Sequence, residues 1–312
     1  MFPKDILGLR LLNASQITTV LDTAEHFRSI NQRRIKKVPT LRGRTVMIAF
    51  FENSTRTKTS FELAAKRLSA DVLSFSACSS ATKKGETLMD TARNLDAMQP
   101  DAIIMRHPQS GAPHMLAQAF PWSMINAGDG INEHPSQGLL DLLTMRDHLG
   151  DLKGKKVAIV GDVYHTRVAR SNIYGLRALG AHVIVAGPGT MCPQQLSLMG
   201  VELRHHIDEV LVDADVVMML RIQRERLGRA MMSTSQEYSQ FYGLDGKRLQ
   251  KARSDVLVMH PGPINRGVEL MPEVADGANS LILEQVSNGI AVRMALLYLT
   301  LGSQGGESGV AI

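Results

Sequence analysis

A regular alternation of short apolar runs with amphipathic helical patterns limits the possible folds of this chain more than any other feature. The apolar runs have the length and the β-branched or aromatic content of buried strands. They cover 46–51, 72–75, 102–105, 123–126, 157–160, 183–186, 216–220 and 256–259. Helical patterns lie between many of them, for instance at 17–27, 58–68, 88–98, 137–149, 169–179 and 281–301. Strands that alternate with helices favour parallel sheets covered on both faces, so the sequence predicts the α/β class.

A polar, glycine-bearing segment at 149–156 interrupts this alternation, and a new strand follows it. A chain of 312 residues is long enough for two domains, and a segment of this composition is typical of a domain boundary. We therefore predict a first domain at 1–150 and a second at 151–284, each a doubly wound parallel sheet, joined by helices. The last long helix is expected to pack back on the first domain and to complete it with residues 285–303.

The composition limits the classes of function. Lys and Arg number 35 against 30 Asp and Glu, a net charge of +5, which suits an enzyme of anionic substrates. The densest basic patch, at 33–44, has no aromatic residues to stack on bases; it indicates a solvated connection or a subunit contact, and not a nucleic-acid site. No apolar run approaches the roughly 18 residues of a membrane helix, and no secretory segment is recognisable. Two cysteines far apart fit no disulfide or metal pattern, so we expect a cytoplasmic protein.

A run of hydroxyl and guanidinium groups follows the first predicted strand and opens the helix after it. It consists of Ser54, Thr55, Arg56 and Thr57. Backbone N–H groups and the helix dipole favour an anion at such a junction, and an arginine can donate two hydrogen bonds to phosphate oxygens. Ser/Thr capping with a surface arginine would explain any one of these residues. Four together predict a phosphate site without the glycines of a P-loop.

Other polar side chains in the first half of the chain also follow predicted strands. Arg106 offers another guanidinium, while His134 and Gln137 lie three residues apart at a helix start and can face one side. A lone histidine at such a place is more often a capping or core residue than a catalyst. The polar segment at 80–86 reads, taken alone, as a solvated loop with a lysine pair.

The second half opens like a nucleotide-binding fold but lacks its signature. One glycine, Gly161, stands where Gly-x-Gly-x-x-Gly is expected, and no acid ends the next strand. Arg167 follows shortly after and could be a ligand-binding or a surface arginine. Arg221 and Gln223 alternate on one face past a later strand. The segment 260–263 holds two prolines in a rigid loop whose backbone carbonyls can accept hydrogen bonds from an amine.

Taken in order, these segments resemble the aspartate carbamoyltransferases of the aspartate/ornithine carbamoyltransferase family. The resemblance spans nearly the whole chain. It rests on FFENSTRT at 50–57, Ser80 with KKGET at 83–87, MRHP at 105–108, HPSQ at 134–137, Gly161-Asp162 with Arg167, Arg221-Ile222-Gln223 and HPGP at 260–263. Members of this family transfer a carbamoyl group from carbamoyl phosphate to L-aspartate, the committed step of pyrimidine synthesis.

The resemblance implies a role for each matching residue. Carbamoyl phosphate would be bound by Ser54, Thr55, Arg56, Thr57, Arg106, His134, Gln137, Ser80 and Lys84. Ser80 and Lys84 would come from a neighbouring subunit of a homotrimer with shared active sites. Aspartate would be bound by Lys84, Arg167, Arg221, Gln223 and the backbone of Gly262 and Pro263. Many members have leucine at the position of Gly262, which is tolerable for a backbone contact. The catalytic set would be His134, Arg106, Thr57 and Lys84.

The chemistry of this transfer fits these side chains. The neutral amine of aspartate attacks the carbamoyl carbon, and His134, Arg106 and Thr57 are suited to stabilise the negative charge on the carbonyl oxygen. No metal or organic cofactor is expected, because no metal-ligand spacing is present. The leaving phosphate could take the amine proton, since no side-chain base is evident. Binding to dihydroorotase or to regulatory subunits stays open.

Three alternatives compete with this interpretation. An ornithine carbamoyltransferase would typically have a cysteine after His260 and an acidic site, whereas Pro261 stands there and Arg221 suits an anion. A nicotinamide-dependent dehydrogenase is disfavoured by the missing glycines. A non-catalytic assembly subunit is disfavoured because every expected polar position is filled.

Overall fold

The fold consists of two compact α/β units. The computed structural model describes residues 2–76, 86–222 and 234–302. Unit 1 comprises Met1–Leu139 and Asn288–Ile312, and unit 2 comprises Leu140–Ser287. Each unit is built on one parallel sheet, so the predicted fold class is confirmed.

Unit 1 contains a four-stranded parallel sheet with the strand order β2-β1-β3-β4. Its strands are β1 (Thr45–Phe50), β2 (Asp71–Ser76), β3 (Ala102–His107) and β4 (Ser123–Asp129). Its helices are α1 (Ala14–Asn31), α2 (Thr55–Arg67), α3 (Leu88–Asp96), α4 (Ala112–Ala119), the start of α5 (Pro135–Leu149) and most of the last helix of the chain, Ile282–Leu301. The register between β1 and β3 pairs Phe50 with Arg106, which aligns the carboxyl ends of the two strands.

The sheet of unit 1 is buried on both faces, as expected for parallel strands connected by helices. Alternate residues of the strands pack on one face against α3 and α4: Met47, Ala49, Ile103, Met105 and Met124. The residues between them, Val46, Ile48 and Ile104, are fully buried as well. Both faces being covered explains why these strands are continuously apolar in the sequence.

The last helix contributes to unit 1 through a cationic side chain. The Arg293 guanidinium lies 5.1 Å from the centre of the Phe61 ring, and its Nη1 donates to Ser60 Oγ at 2.9 Å. Tyr298, one turn and a half further on, meets Phe27 of α1 edge to face. The helix therefore packs back on the first unit, as the sequence predicted.

Unit 2 contains a five-stranded parallel sheet with the order β7-β6-β5-β8-β9. Its strands are β5 (Lys156–Val160), β6 (His182–Ala186), β7 (Glu202–Arg204), β8 (Val216–Met219) and β9 (Leu257–Met259). Its helices are the rest of α5, α6 (Arg167–Ala178), α7 (Ile207–Leu211), α8 (Ser235–Tyr242), α9 (Gly246–Leu249), α10 (Pro272–Ala275) and the start of α11 (Ile282–Leu301). The strand order reverses between β5 and β8, and a doubly wound sheet binds ligands at such a switch point.

Every apolar run singled out in the sequence matches a strand, and every long helical pattern matches a helix, with small differences at the ends. The sequence missed β7, because three partly exposed residues at a sheet edge carry no apolar signal. It also missed the short helices α4 and α7 to α10, which offer too few turns for a periodic pattern. Within the described ranges, no helix combines the length and the apolar character needed to cross a membrane.

The division between the units falls inside α5, before the polar segment on which the sequence analysis placed it. Asp141 of α5 explains the difference, because its carboxylate is bonded within unit 2. It accepts hydrogen bonds from Asn172 Nδ2 at 2.8 Å and from Gln285 Nε2 at 2.7 Å. The second half of α5 is therefore tied to α6 and to the start of α11.

Candidate active site

The carboxyl edge of the unit 1 sheet collects most of the polar side chains singled out in the first half of the chain. The segment 54–57 follows β1, Arg106 lies near the end of β3, and His134 follows β4. These three strands are neighbours in the sheet. Because they are parallel, their carboxyl ends meet at one edge, and the fold brings these residues together there.

The α2 N-terminus forms one wall of this edge. Ser54 is the N-cap residue, with an extended backbone and no side-chain hydrogen bond to the first turn. The first turn carries no acidic residue, so its N–H groups and dipole favour an anion. Thr55 and Arg56 are exposed, whereas Thr57 is buried with its Oγ1 at 3.5 Å from His134 Nε2. Hydroxyl, imidazole and guanidinium groups thus lie together at one corner of the sheet edge, a corner suited to an anion.

Protein contacts hold Arg106 in place. Its Nε lies 2.7 Å from Glu52 Oε1, and its Nη1 donates to the Ala127 carbonyl oxygen at 3.4 Å. The Phe51 N–H donates to the Arg106 carbonyl oxygen at 2.8 Å, which joins the two strand ends. Glu52 is not among the predicted site residues, although it lies within the run at 50–57. This carboxylate fixes the direction of the guanidinium.

His134 and Gln137 lie where α5 begins. His134 is buried, its Nδ1 is 3.5 Å from Ser136 Oγ, and its carbonyl oxygen accepts the Gln137 N–H at 3.0 Å. Gln137 is partly buried. The ring of His134 is therefore positioned from both sides, by Thr57 and by Ser136.

A buried acidic network supports the turn before His134. Asp129 Oδ1 accepts hydrogen bonds from Asn126 Nδ2 at 2.7 Å and from the Glu133 N–H at 3.2 Å. Glu133 in turn accepts the Leu9 N–H at 2.7 Å, anchoring the turn to the N-terminal segment. Their burial could not be foreseen, because the sequence does not distinguish these acids from solvated ones.

The carboxyl edge of the unit 2 sheet carries two arginines on either side of the switch point. Arg167 opens α6 after β5 and is buried, and Arg221 lies two residues beyond β8. Gly161 directly follows β5 with φ +127°, and a Cβ there would lie 3.0 Å from the Leu220 carbonyl oxygen. Only glycine allows β5 and the end of β8 to approach so closely. The edge is cationic, as an anionic ligand requires.

The loop after β9 lies at the same edge, next to β8 in the sheet. It contains Gly262 and Pro263, joined by a cis peptide bond. His260 and Glu269 are fully buried beneath it, with His260 Nε2 at 3.3 Å from Glu269 Oε1. Nothing in the sequence marked Glu269, because its pairing with His260 arises only from the folding of the loop.

Three predicted site residues, Ser80, Lys84 and Gln223, lie outside the described residues. All the other predicted residues lie at one of the two sheet edges. Those predicted to bind carbamoyl phosphate lie in unit 1, and those predicted to bind aspartate lie in unit 2. Within 2–76, 86–222 and 234–302, no cluster of three or more His, Cys, Asp or Glu residues could hold a metal ion.

Comparison with known proteins matches both units to one family. Residues 4–147 match the carbamoyl-P binding domain of aspartate/ornithine carbamoyltransferase, and residues 153–300 match its Asp/Orn binding domain. The aspartate carbamoyltransferase catalytic subunit of Syntrophotalea carbinolica is 58% identical over 301 residues, 96% of each chain. That of Geotalea uraniireducens is 59% identical over 302 residues, 96% of this chain and 97% of the relative.

Solved structures extend the comparison to the fold. Aspartate transcarbamoylase from Trypanosoma cruzi, in complex with carbamoyl phosphate and aspartate, has a TM-score of 0.85 at 30% identity, covering 96% of this chain and 97% of that one. Ornithine carbamoyltransferase from Pyrococcus furiosus has a TM-score of 0.84 at 31% identity, with the same coverage. The two matching domains span almost the entire sequence, and on this ground the chain belongs to the aspartate/ornithine carbamoyltransferase family.

Proposed function

We propose that this chain transfers the carbamoyl group of carbamoyl phosphate to L-aspartate, giving N-carbamoyl-L-aspartate and phosphate in the committed step of pyrimidine synthesis. One observation carries the proposal: the Thr57, Arg106 and His134 side chains converge at one sheet edge beside an acid-free helix N-terminus. This corner suits a phosphate and an adjacent carbonyl group. The relatives named aspartate carbamoyltransferase, 58% and 59% identical, support the same reaction.

Unit 1 binds carbamoyl phosphate in this proposal. Ser54, Thr55, Arg56 and Thr57 hold the phosphate with side-chain and backbone donors at the start of α2. Arg106, fixed by Glu52, reaches both the phosphate and the carbonyl oxygen. His134 and Gln137 bind the carbamoyl end, where His134 and Thr57 lie within 3.5 Å of each other.

Unit 2 binds aspartate. Arg167 and Arg221 each pair with one carboxylate, since a guanidinium can donate two parallel hydrogen bonds to it. Gln223 adds a polar contact, and the carbonyl oxygens of Gly262 and Pro263 orient the amine or the carbamoyl amide. Two cations favour a dicarboxylic amino acid over ornithine, whose side chain is itself positive. Pro261 in place of cysteine after His260 favours the same substrate.

The reaction needs only positioned donors. The neutral amine of aspartate attacks the carbamoyl carbon, the C–N bond forms, and the carbonyl oxygen gains negative charge. Arg106, His134 and Thr57 stabilise that charge as hydrogen-bond donors. The C–O bond to phosphate then breaks, the leaving phosphate oxygen takes the amine proton, and hydrogen phosphate dianion remains in the cationic corner. No cofactor takes part in these steps.

Product analysis tests this function directly. Purified chain is incubated with carbamoyl phosphate and either aspartate or ornithine, and carbamoyl aspartate, citrulline and phosphate are measured. Carbamoyl aspartate with an equal amount of phosphate is expected. Citrulline as the main product would instead make the chain an ornithine carbamoyltransferase, and phosphate release without either product would reject the transfer.

We propose further that the active sites are shared between the subunits of a cytoplasmic homotrimer, with Ser80 and Lys84 acting on the site of a neighbour. Lys84→Ala and Arg56→Ala homotrimers should each be nearly inactive. After dissociation, mixing and reassociation, some interfaces join an intact phosphate corner to an intact Lys84, so activity should return. Verified hybrids that stay as inactive as their parents would contradict sharing. A native mass measurement would reveal any dihydroorotase or regulatory subunit in the assembly.

A further inference from the structure

His260 makes hydrogen bonds through both ring nitrogens, and together they select the tautomer of its neutral ring. The Gly262 N–H donates to His260 Nδ1 at 2.8 Å, so Nδ1 carries no proton. In the neutral ring the proton is therefore on Nε2, which lies 3.3 Å from Glu269 Oε1 and donates to it. Both side chains are completely buried. The imidazole is thus a fixed link between a backbone N–H and a buried carboxylate.

These contacts join both ends of the loop that carries Gly262 and Pro263. Glu269 Oε1 also accepts the Asn265 N–H, which lies past the prolines on the other side of the loop. The His260 N–H donates to Gln285 Oε1 at 3.0 Å, which anchors the histidine backbone to α11. The loop is therefore held at its start by Nδ1 and at its end by the carboxylate.

The end of β3 contains the same turn. There the Gln109 N–H donates to His107 Nδ1 at 3.0 Å, again from the residue two positions on, and a proline again follows the histidine. This contact copies the Asx-turn, in which a side-chain oxygen of residue i accepts the N–H of residue i+2. Asn126 at β4 makes the Asx-turn itself, with the Gly128 N–H donating at 2.8 Å. The side-chain oxygen of an asparagine can hence replace His260 Nδ1 as the acceptor in this turn.

We propose that His260 and Glu269 are positioning residues for carbamoyl transfer: the His260 Nδ1 turn and the Glu269 carboxylate orient the Gly262 and Pro263 carbonyls toward the reacting groups. This proposal rests on the function proposed above. His260 touches no substrate in it. The residues proposed to hold the phosphate, 54–57, lie in unit 1. A disturbed loop should therefore lower kcat by a larger factor than it raises KM for carbamoyl phosphate.

Two substitutions separate the roles of the ring nitrogens. The amide oxygen of asparagine in His260→Asn occupies the position of Nδ1 and keeps the turn. Glutamine in His260→Gln places its amide near Nε2 and can reach Glu269, but it loses the acceptor for Gly262. We expect His260→Asn to keep kcat within about tenfold, while His260→Gln and His260→Ala lose roughly a hundredfold, the effect typical of a reacting group misplaced by about 1 Å.

Glu269→Gln tests the other partner with little risk to folding, because its amide oxygen can still accept from both His260 and Asn265. We expect near-normal kcat for Glu269→Gln, whereas the kcat of Glu269→Ala should fall about as far as that of His260→Gln. Glu273→Gln, a neutralised exposed carboxylate on α10, and His205→Asn, at an exposed site, are matched controls. Thermal unfolding of every variant shows whether lost activity reflects lost folding.

Hydrogen exchange at the Gly262 amide gives a readout independent of activity. His260→Asn should keep its protection and His260→Gln should lose it. Product formation by the wild-type chain tests the proposed function separately. If the wild type is inactive but the variants show this exchange pattern, the proposed function is rejected while the turn made by His260 Nδ1 is supported. Equal kcat in folded His260→Asn and His260→Gln, or His260→Asn as poor as His260→Ala, would overturn the proposal.

Discussion

Replacing Arg106 with lysine keeps the positive charge at the end of β3 but removes the guanidinium fork. In the native chain, Nε lies 2.7 Å from Glu52 and Nη1 donates to the Ala127 carbonyl oxygen at 3.4 Å. A single ammonium cannot satisfy both partners and still point at a ligand in a fixed direction. We expect kcat to fall by about 10²–10³, or about 3–4 kcal/mol, as for other lost donors to a developing charge.

The stability of Arg106→Lys should change far less than its activity. The two side chains of the Arg106–Glu52 pair are 15% and 21% exposed, so solvent screens the pair in part. Ion pairs that solvent reaches contribute about 0.2–1 kcal/mol, and the lysine charge retains some of that. Thermal unfolding should therefore shift by only a few degrees.

Arg44→Lys is the matched control. Arg44 Nη1 lies 2.6 Å from Asp101 Oδ1, with exposures of 32% and 24%, just before β1 at the opposite edge of the same sheet. The unfolding temperature of Arg44→Lys should shift by a similar small amount, while its rate of carbamoyl aspartate formation stays unchanged. Folded Arg106→Lys within tenfold of wild-type kcat would refute the fork argument. An equal loss in Arg44→Lys would attribute the effect to the sheet as a whole.

Three further predictions follow from the site and the core. Arg56→Ala should lose at least a hundredfold in turnover without unfolding, because a positioned donor is removed; near-normal kcat and KM for carbamoyl phosphate would reject the phosphate site. Arg221→Lys should raise KM for aspartate sharply, since the charge stays and the bidentate pairing is lost; steady-state kinetics with aspartate varied would detect this, and an unchanged KM would make Arg221 structural. Burial raises the pKa of Cys192 from 9.0 to about 12, so the unfolded chain releases this proton at lower pH than the folded chain. Stability should hence fall as pH rises from about 9 to about 12, less steeply in Cys192→Ala, as denaturant titrations can measure.

Much of the fold was predictable because both sheets are covered on both faces. A strand such as β1, buried along nearly its whole length, is continuously apolar and stands out between amphipathic helices. The common location of several predicted site residues has a related reason, since polar groups directly after parallel strands collect at one edge. Arg106 and His134 each follow a predicted strand, and the family resemblance assigned both to one site.

The supporting contacts were not predictable. Glu52 and Glu269 look like any surface acid in the sequence, and only the folded chain brings them to Arg106 and His260. The strand β7 is too short and too polar to produce a pattern. The partners of ionised side chains depend on tertiary geometry, which local sequence periodicity does not reveal.

The split composition of unit 1 has a consequence for protein synthesis. Unit 2 is one continuous stretch, so it can fold as soon as Ser287 has left the ribosome. Unit 1 is completed only later, because its closing segment follows unit 2 in the chain: Arg293 donates to Ser60 across a separation of 233 residues. The nascent chain therefore carries an incomplete first unit, with Phe61 lacking its cationic partner, until the segment after Ser287 has been made. Truncation of the last turns of α11 should accordingly be more harmful to newly made protein than its short length suggests.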